Sequence, residues 1–93
     1  MNKYNYIASA KRTIKIESNS ISQIASQLDK SFITLCDKVI KCDGKFIIMG
    51  VGKSGHIAQK ISATLSSTGT PSVFIHPTEA AHGDMGLIDK KDI

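Results

Sequence analysis

A chain of 93 residues with a hydrophobic share of 41% and a charged share of 22% is one small globular domain at most, and too apolar for a disordered tail. No apolar run reaches the roughly 18–20 residues of a bilayer crossing, and the polar, basic start lacks the apolar core of a secretory signal, so a cytoplasmic setting without membrane contact is expected. The net charge of +4 comes from dispersed lysines in the first half, with no interleaved aromatics and no helix-turn-helix or zinc spacing. That pattern excludes a nucleic-acid binder and reads as solvated helix faces.

In chain order, Ile7, Ile14, Ile21 and Leu28, with Ile24 added, draw one stripe along a helix. Ser18-Asn19-Ser20 is a weak point where that helix is expected to kink or restart. A second helix is expected from about Ser31, with Phe32, Ile33, Cys36, Val39 and Ile40 facing a core, and Asp43-Gly44 closing it. Cys36 and Cys42 lie six residues apart, about 240° around such a helix. They cannot share a ligand and are expected to be free, partly buried thiols.

The pattern then changes. Phe46-Ile47-Ile48-Met49 is a short apolar run, as in a parallel strand buried on both faces. Glycines follow, and Ser54 to Ser67 reads as a helix with Ile57, Ile61, Ala63 and Leu65 inward. Gly69 and Pro71 punctuate, and Ser72-Val73-Phe74-Ile75 reads as a second strand. The result is a βαβ unit with a right-handed crossover. A short helical turn is expected at Glu79 to His82, and a third strand would begin at about Ile93. The expected class is α/β: two N-terminal helices plus one βαβ unit of an incomplete doubly wound parallel sheet. Residues 1–30 would be a helical lead and residues 31–93 the start of the α/β domain.

The segment richest in chemistry is Gly50-Val51-Gly52-Lys53-Ser54-Gly55, between strand and helix. Glycines let the backbone turn tightly against a ligand, and the free N–H groups at a helix start favour a phosphate. Lys53 adds a full positive charge, and Ser54 can serve as N-cap or phosphate ligand. A Walker A loop would need a glycine where Ile47 stands. A dinucleotide fingerprint finds its glycines at positions 50, 52 and 55, but Ile75-His76 occupies the place of the acidic ribose ligand. A phosphate-binding strand–turn–helix of another α/β family fits better than either. His76-Pro77-Thr78-Glu79-Ala80-Ala81-His82-Gly83-Asp84 follows the second strand at the same carboxyl edge of the sheet. It can supply acid/base groups near neutral pH or a metal site.

Met49 to His56, Ser67-Thr68-Gly69-Thr70-Pro71-Ser72 and His76 to Asp84 together resemble the KpsF/GutQ-type arabinose-5-phosphate isomerases of the sugar isomerase (SIS) superfamily. The three motifs match in order and spacing over residues 45–93. The resemblance implies a SIS fold and interconversion of D-ribulose 5-phosphate and D-arabinose 5-phosphate, a step toward the lipopolysaccharide sugar Kdo. It implies catalytic roles for Lys53 and His82, and phosphate or sugar contacts from Gly50, Gly52, Ser54, Gly55, Gly69, Thr70 and His82. No cofactor is required, with His76 an optional zinc ligand. The implied partners are a phosphorylated sugar and a second copy or another SIS chain. The family's domain continues into a third strand, a serine-rich phosphate loop and further acidic residues, whereas this sequence stops at Ile93. Binding without turnover is therefore expected. The alternatives are a non-catalytic phosphosugar-binding or interaction module, and an ATP-binding domain using Gly50–Gly55.

Overall fold

A computed structural model describes residues 3–93. Met1 and Asn2, the start of the expected helical lead, lie outside the described residues. The chain divides into two compact units, the first ending at Ile33 and the second spanning Thr34–Ile93.

In the first unit, helix α1 runs over Tyr6–Ile24. Asn5 caps it, its side-chain oxygen accepting from the Ala8 N–H at 3.0 Å, which satisfies one of the orphan donors of the first turn. The expected kink at Ser18-Asn19-Ser20 is absent. The Ser20 hydroxyl donates to the Ile16 carbonyl at 2.9 Å, so the side chain that competes for backbone groups is satisfied inside the helix. The break comes later, as a 3₁₀ turn at Ala25–Gln27. No residue of α1 is buried, and its isoleucine stripe faces solvent. Asp29 then holds the next helix start, accepting from the Ser31 N–H at 2.9 Å and from the Ser31 hydroxyl at 2.6 Å. These bonds hold its carboxyl below the usual carboxylate range.

Helix α2 (Lys30–Lys41), strand β1 (Phe46–Ile48), helix α3 (Gly52–Ser67), strand β2 (Ser72–Phe74) and helix α4 (Pro77–Ala81) follow. A 3₁₀ turn at Asp84–Leu87 leads to the last residues. The strands pair in parallel with Phe46, Ile47 and Ile48 opposite Ser72, Val73 and Phe74, and α3 is the crossover. The fold is α/β, as expected.

The buried face of α3 differs from expectation. Gly55, Ala58 and Ser62 are its buried residues, spaced i, i+3, i+7 on one face, while Ile57 is 59% exposed and Ile61 46%. Small side chains let the helix axis approach the short strands, and the large ones are turned away. The expected core face of α2 is likewise open: Phe32, Ile33 and Ile40 are exposed, and only Cys36 and Val39 are half-buried. Both cysteines are free and half-buried. The strands too are half-buried rather than covered on both faces.

Serines knit α3 to the sheet. Ser62 Oγ and the Phe46 carbonyl lie 2.9 and 2.8 Å from Ser72 Oγ. The Ser66 hydroxyl donates to the Ser72 carbonyl at 2.9 Å. The deepest large side chain is Ile75, 2% exposed, whose N–H extends the ladder by donating to the Ile48 carbonyl at 3.0 Å.

On the other side of β1, Ile93 makes two backbone hydrogen bonds to the strand. The Ile93 N–H donates to the Lys45 carbonyl at 3.2 Å, and the Ile47 N–H donates to the Ile93 carbonyl at 2.8 Å. This is the hydrogen-bond pattern of a parallel pair. Asp92, with its side chain 2% exposed, fixes that register. It accepts from the Asp89 N–H at 2.7 Å, the Lys45 N–H at 2.8 Å and Lys45 Nζ at 2.8 Å. These bonds, the one from Asp89 foremost, lower its pKa to about 2.

Candidate phosphate and sugar site

The site begins with a close approach. Gly50 lies in the turn after β1, and Gly55 sits in the first turn of α3. A Cβ on Gly55 would stand 2.6 Å from the Gly50 carbonyl oxygen, and one on Gly50 would stand 3.1 Å from the Gly55 nitrogen. Glycine at position 55 is what lets the helix start against the strand end, and any larger residue at position 50 would be tight. Gly52 has a different reason: its φ of 59° lies in the left-handed region, with open space around it.

Helix α3 starts two residues earlier than the sequence suggested. Its N-cap is Val51, which makes no side-chain capping bond, and Ser54 lies inside the first turn. The expected N-cap role of Ser54 is therefore corrected. The first intrahelical bond runs from the Gly55 N–H to the Val51 carbonyl at 3.1 Å. The N–H groups of Gly52, Lys53 and Ser54 precede it at the positive end of the helix dipole. Lys53 is exposed and has no ion-pair partner among the described residues. Free N–H donors, a positive dipole end and a lysine make an anion site.

A crevice of about 120 Å³ opens beside this turn, lined by Gly50, Gly52, Gly55, His56, Gln59, Phe74 and His76. It joins the glycine loop to the end of β2, so His76 is brought to the glycines as the sheet topology implied. His56 and Gln59 were not singled out in the sequence. The signal for them was available: in a helix starting at Gly52 they are one and two turns in, on the side of Gly55. His82 ends α4, where its N–H donates to the Thr78 and Glu79 carbonyls at 3.2 and 3.1 Å, and it does not line the crevice. Gly69 and Thr70 lie before β2, at the opposite end of the strands, in a separate hollow with Phe46 and Pro71. A larger hollow of about 470 Å³ lies near the start of β1, between α2 and Lys91 and Ile93. It is open surface without the donor arrangement of the glycine loop.

Zinc at His76 finds no support among the described residues. Among the described residues no three His, Cys, Asp or Glu side chains come together as metal ligands. In addition, His76 Nδ1 already accepts from the Thr78 N–H at 3.1 Å. No described helix is long and apolar enough to cross a membrane.

Known proteins resemble this chain in sequence and fold. The chain is 45% identical over 89 residues to the arabinose 5-phosphate isomerase KdsD of Pseudomonas aeruginosa, covering 96% of this chain and 27% of that protein. It is 46% identical over 83 residues to the arabinose 5-phosphate isomerase GutQ of Salmonella typhi, covering 89% of this chain and 26% of that protein. The chain thus spans about a quarter of the length of the curated relatives it matches. An Escherichia coli CFT073 structure in complex with arabinose 5-phosphate superposes with a TM-score of 0.91 at 41% identity, over all of this chain and 50% of that one. A Bacteroides fragilis structure, described as a putative phosphosugar isomerase involved in capsule formation, gives 0.89 at 33% identity, over 95% and 47%. Residues 38–93, which hold the βαβ unit, the glycine loop and the histidine segment, match the SIS domain, and on that match the chain belongs to the SIS family.

Proposed function

We propose that this chain is the phosphosugar-binding part of an arabinose 5-phosphate isomerase of the SIS family, binding its ligand without turning it over as 93 residues. The observation that carries the reading is the open first turn of α3. The N–H groups of Gly52, Lys53 and Ser54 gather at the start of α3, beside a crevice lined by Gly50, Gly52, Gly55 and His76, and the exposed Lys53 stands in the same turn. In this reading Gly50, Gly52, Ser54 and Gly55 cradle the phosphate and Lys53 acts on the sugar, as does His82, which does not line the crevice and whose role rests on the family resemblance. Gly69 and Thr70 lie at the far end of β2, so their sugar-contacting role stands on the family resemblance alone. Residues 31–93 supply the binding part and residues 1–30 the helical lead.

Aldose–ketose isomerisation through an enediol needs a base to move a proton between adjacent carbons. No carboxylate lines the crevice, so binding is expected to outlast catalysis in this chain. The reading needs no metal and no organic cofactor. Free half-buried thiols suit a reducing cytoplasm. The exposed isoleucines of α1 and α3 suit association with a second copy or another SIS chain.

The test is a titration with arabinose 5-phosphate, and separately with ATP and Mg²⁺, following backbone amide shifts by NMR. Shifts centred on Gly50 to Gly55 with the sugar phosphate are expected. Tighter, Mg²⁺-dependent binding of ATP would replace this reading with a nucleotide site. Conversion of ribulose 5-phosphate above background, lost in Lys53→Ala, would show the chain to be a complete catalyst.

A further inference from the structure

His76 has two ring nitrogens, and the fold has committed one of them. His76 is the N-cap of α4, with extended backbone (φ −69°, ψ 133°) and Pro77 next. Proline has no N–H, so the first donor of this helix start is that of Thr78. It donates to His76 Nδ1 at 3.1 Å, while the Ala80 N–H donates to the His76 carbonyl at 2.9 Å. One residue thus holds the start of a five-residue helix from both its side chain and its backbone.

A nitrogen that accepts carries no proton. In a neutral imidazole the proton must then sit on Nε2. A metal-bound histidine has the opposite polarity: it gives a lone pair to the metal and donates its other N–H to a carbonyl or carboxylate. Metal on Nε2 would place an Nδ1 proton against the Thr78 N–H. Metal on Nδ1 would displace that N–H from its acceptor. Either way the cap is lost.

We propose that His76 is a positioning residue, fixed by the α4 cap in its Nε2–H tautomer, that offers the crevice a hydrogen-bond donor for a ligand oxygen and does not ligate a metal. The ligand part of this assignment rests on the phosphosugar reading; the cap and tautomer do not. Because His82 is the C-cap of α4, the N-cap also bears on where that second histidine stands.

Two substitutions separate the two jobs of the ring. His76→Asn keeps an acceptor near the Nδ1 position, and asparagine is among the favoured N-caps, but it is too short to reach as Nε2 does. His76→Gln keeps a donor near the Nε2 position and loses the cap. Nitrogen-15 NMR of the histidine rings in the 93-residue chain at pH 8 is expected to show His76 protonated at Nε2 and bare at Nδ1. Amide exchange at Thr78 is expected to stay within about twofold of the parent in His76→Asn. It should quicken about fivefold or more in His76→Gln, as loss of a cap implies. Affinity for arabinose 5-phosphate should run the other way, falling about tenfold in His76→Asn and less than threefold in His76→Gln, the size of one lost hydrogen bond. An Nδ1–H tautomer would overturn the proposal, as would equal quickening at Thr78 in both variants. Zinc that perturbs the His76 ring at micromolar concentration while Thr78 stays protected would overturn it too. If the tautomer and Thr78 protection hold but arabinose 5-phosphate does not bind, the phosphosugar reading and the donor role fall together, and the cap stands.

Discussion

The two ends of this small parallel sheet handle polar groups in opposite ways. At the amino end, donors and acceptors are consumed internally: Asp92 takes three donors from Asp89 and Lys45, and the serines of α3 and β2 satisfy one another. At the carboxyl end, glycines bring a helix start close to a strand end, and the N–H groups there have no side-chain cap. A backbone donor without an internal partner is a liability in a core and a site at a surface. Architecture sits at one end of the strands and ligand chemistry at the other.

If the carboxyl end depends on the glycine contact, Gly55→Val should have the largest effect. Its Cβ would meet the Gly50 carbonyl at 2.6 Å, a backbone atom that cannot swing aside. Overpacking of this kind costs on the order of 1–3 kcal/mol, a large share of a small domain's margin. Loss of a cooperative thermal melt is expected, and a melt matching the parent would break the claim that the approach is obligatory.

Lys53→Ala sharpens the comparison from the ligand side. Lys53 is exposed and without an ion-pair partner among the described residues, so stability should be unchanged. Affinity for arabinose 5-phosphate should fall about tenfold to a hundredfold, the range of a lost hydrogen bond to a charged group. Calorimetric titration alongside a melt reads both; equal affinity would remove Lys53 from the site.

The smallest effect belongs to the amino end and fades in acid. The Asp92 pKa is lowered to about 2 in the fold, against about 3.9 for an unfolded aspartate. A depressed carboxylate contributes stability above its unfolded pKa and loses it as pH falls through the folded one. The melting temperatures of the parent and Asp92→Asn should therefore differ by a constant amount down to about pH 4 and converge towards pH 2. A gap that persists below pH 2 would mean that the charge of Asp92 is not what anchors the turn.

Much of this was legible in the residues. The apolar run from Phe46, the glycines after it and the second run from Ser72 mark a βαβ unit, because strand, turn and helix each have their own residue chemistry. The inward face of α3 was not legible from apolarity. Hydrophobicity marks Ile57 and Ile61 as residues that gain from cover, but the close approach of helix to sheet selects Gly55, Ala58 and Ser62 for their size. The true N-cap was missed because Val51 caps with backbone alone, whereas Ser54 is the residue type that caps with a side chain. His56 and Gln59 follow once the helix start is moved to Gly52.

The two hydrogen bonds of Ile93 carry a consequence for topology. With β2 on one side of β1 and Ile93 on the other, the chain leaves β1 in one direction and returns past it in the other. Right-handed crossovers put two such connections on opposite faces of a sheet, so they part company at the end of β1. Open α/β sheets form their ligand crevice where two such connections part. The turn that follows β1 is Gly50 to Gly52, and it stands at the mouth of that gap.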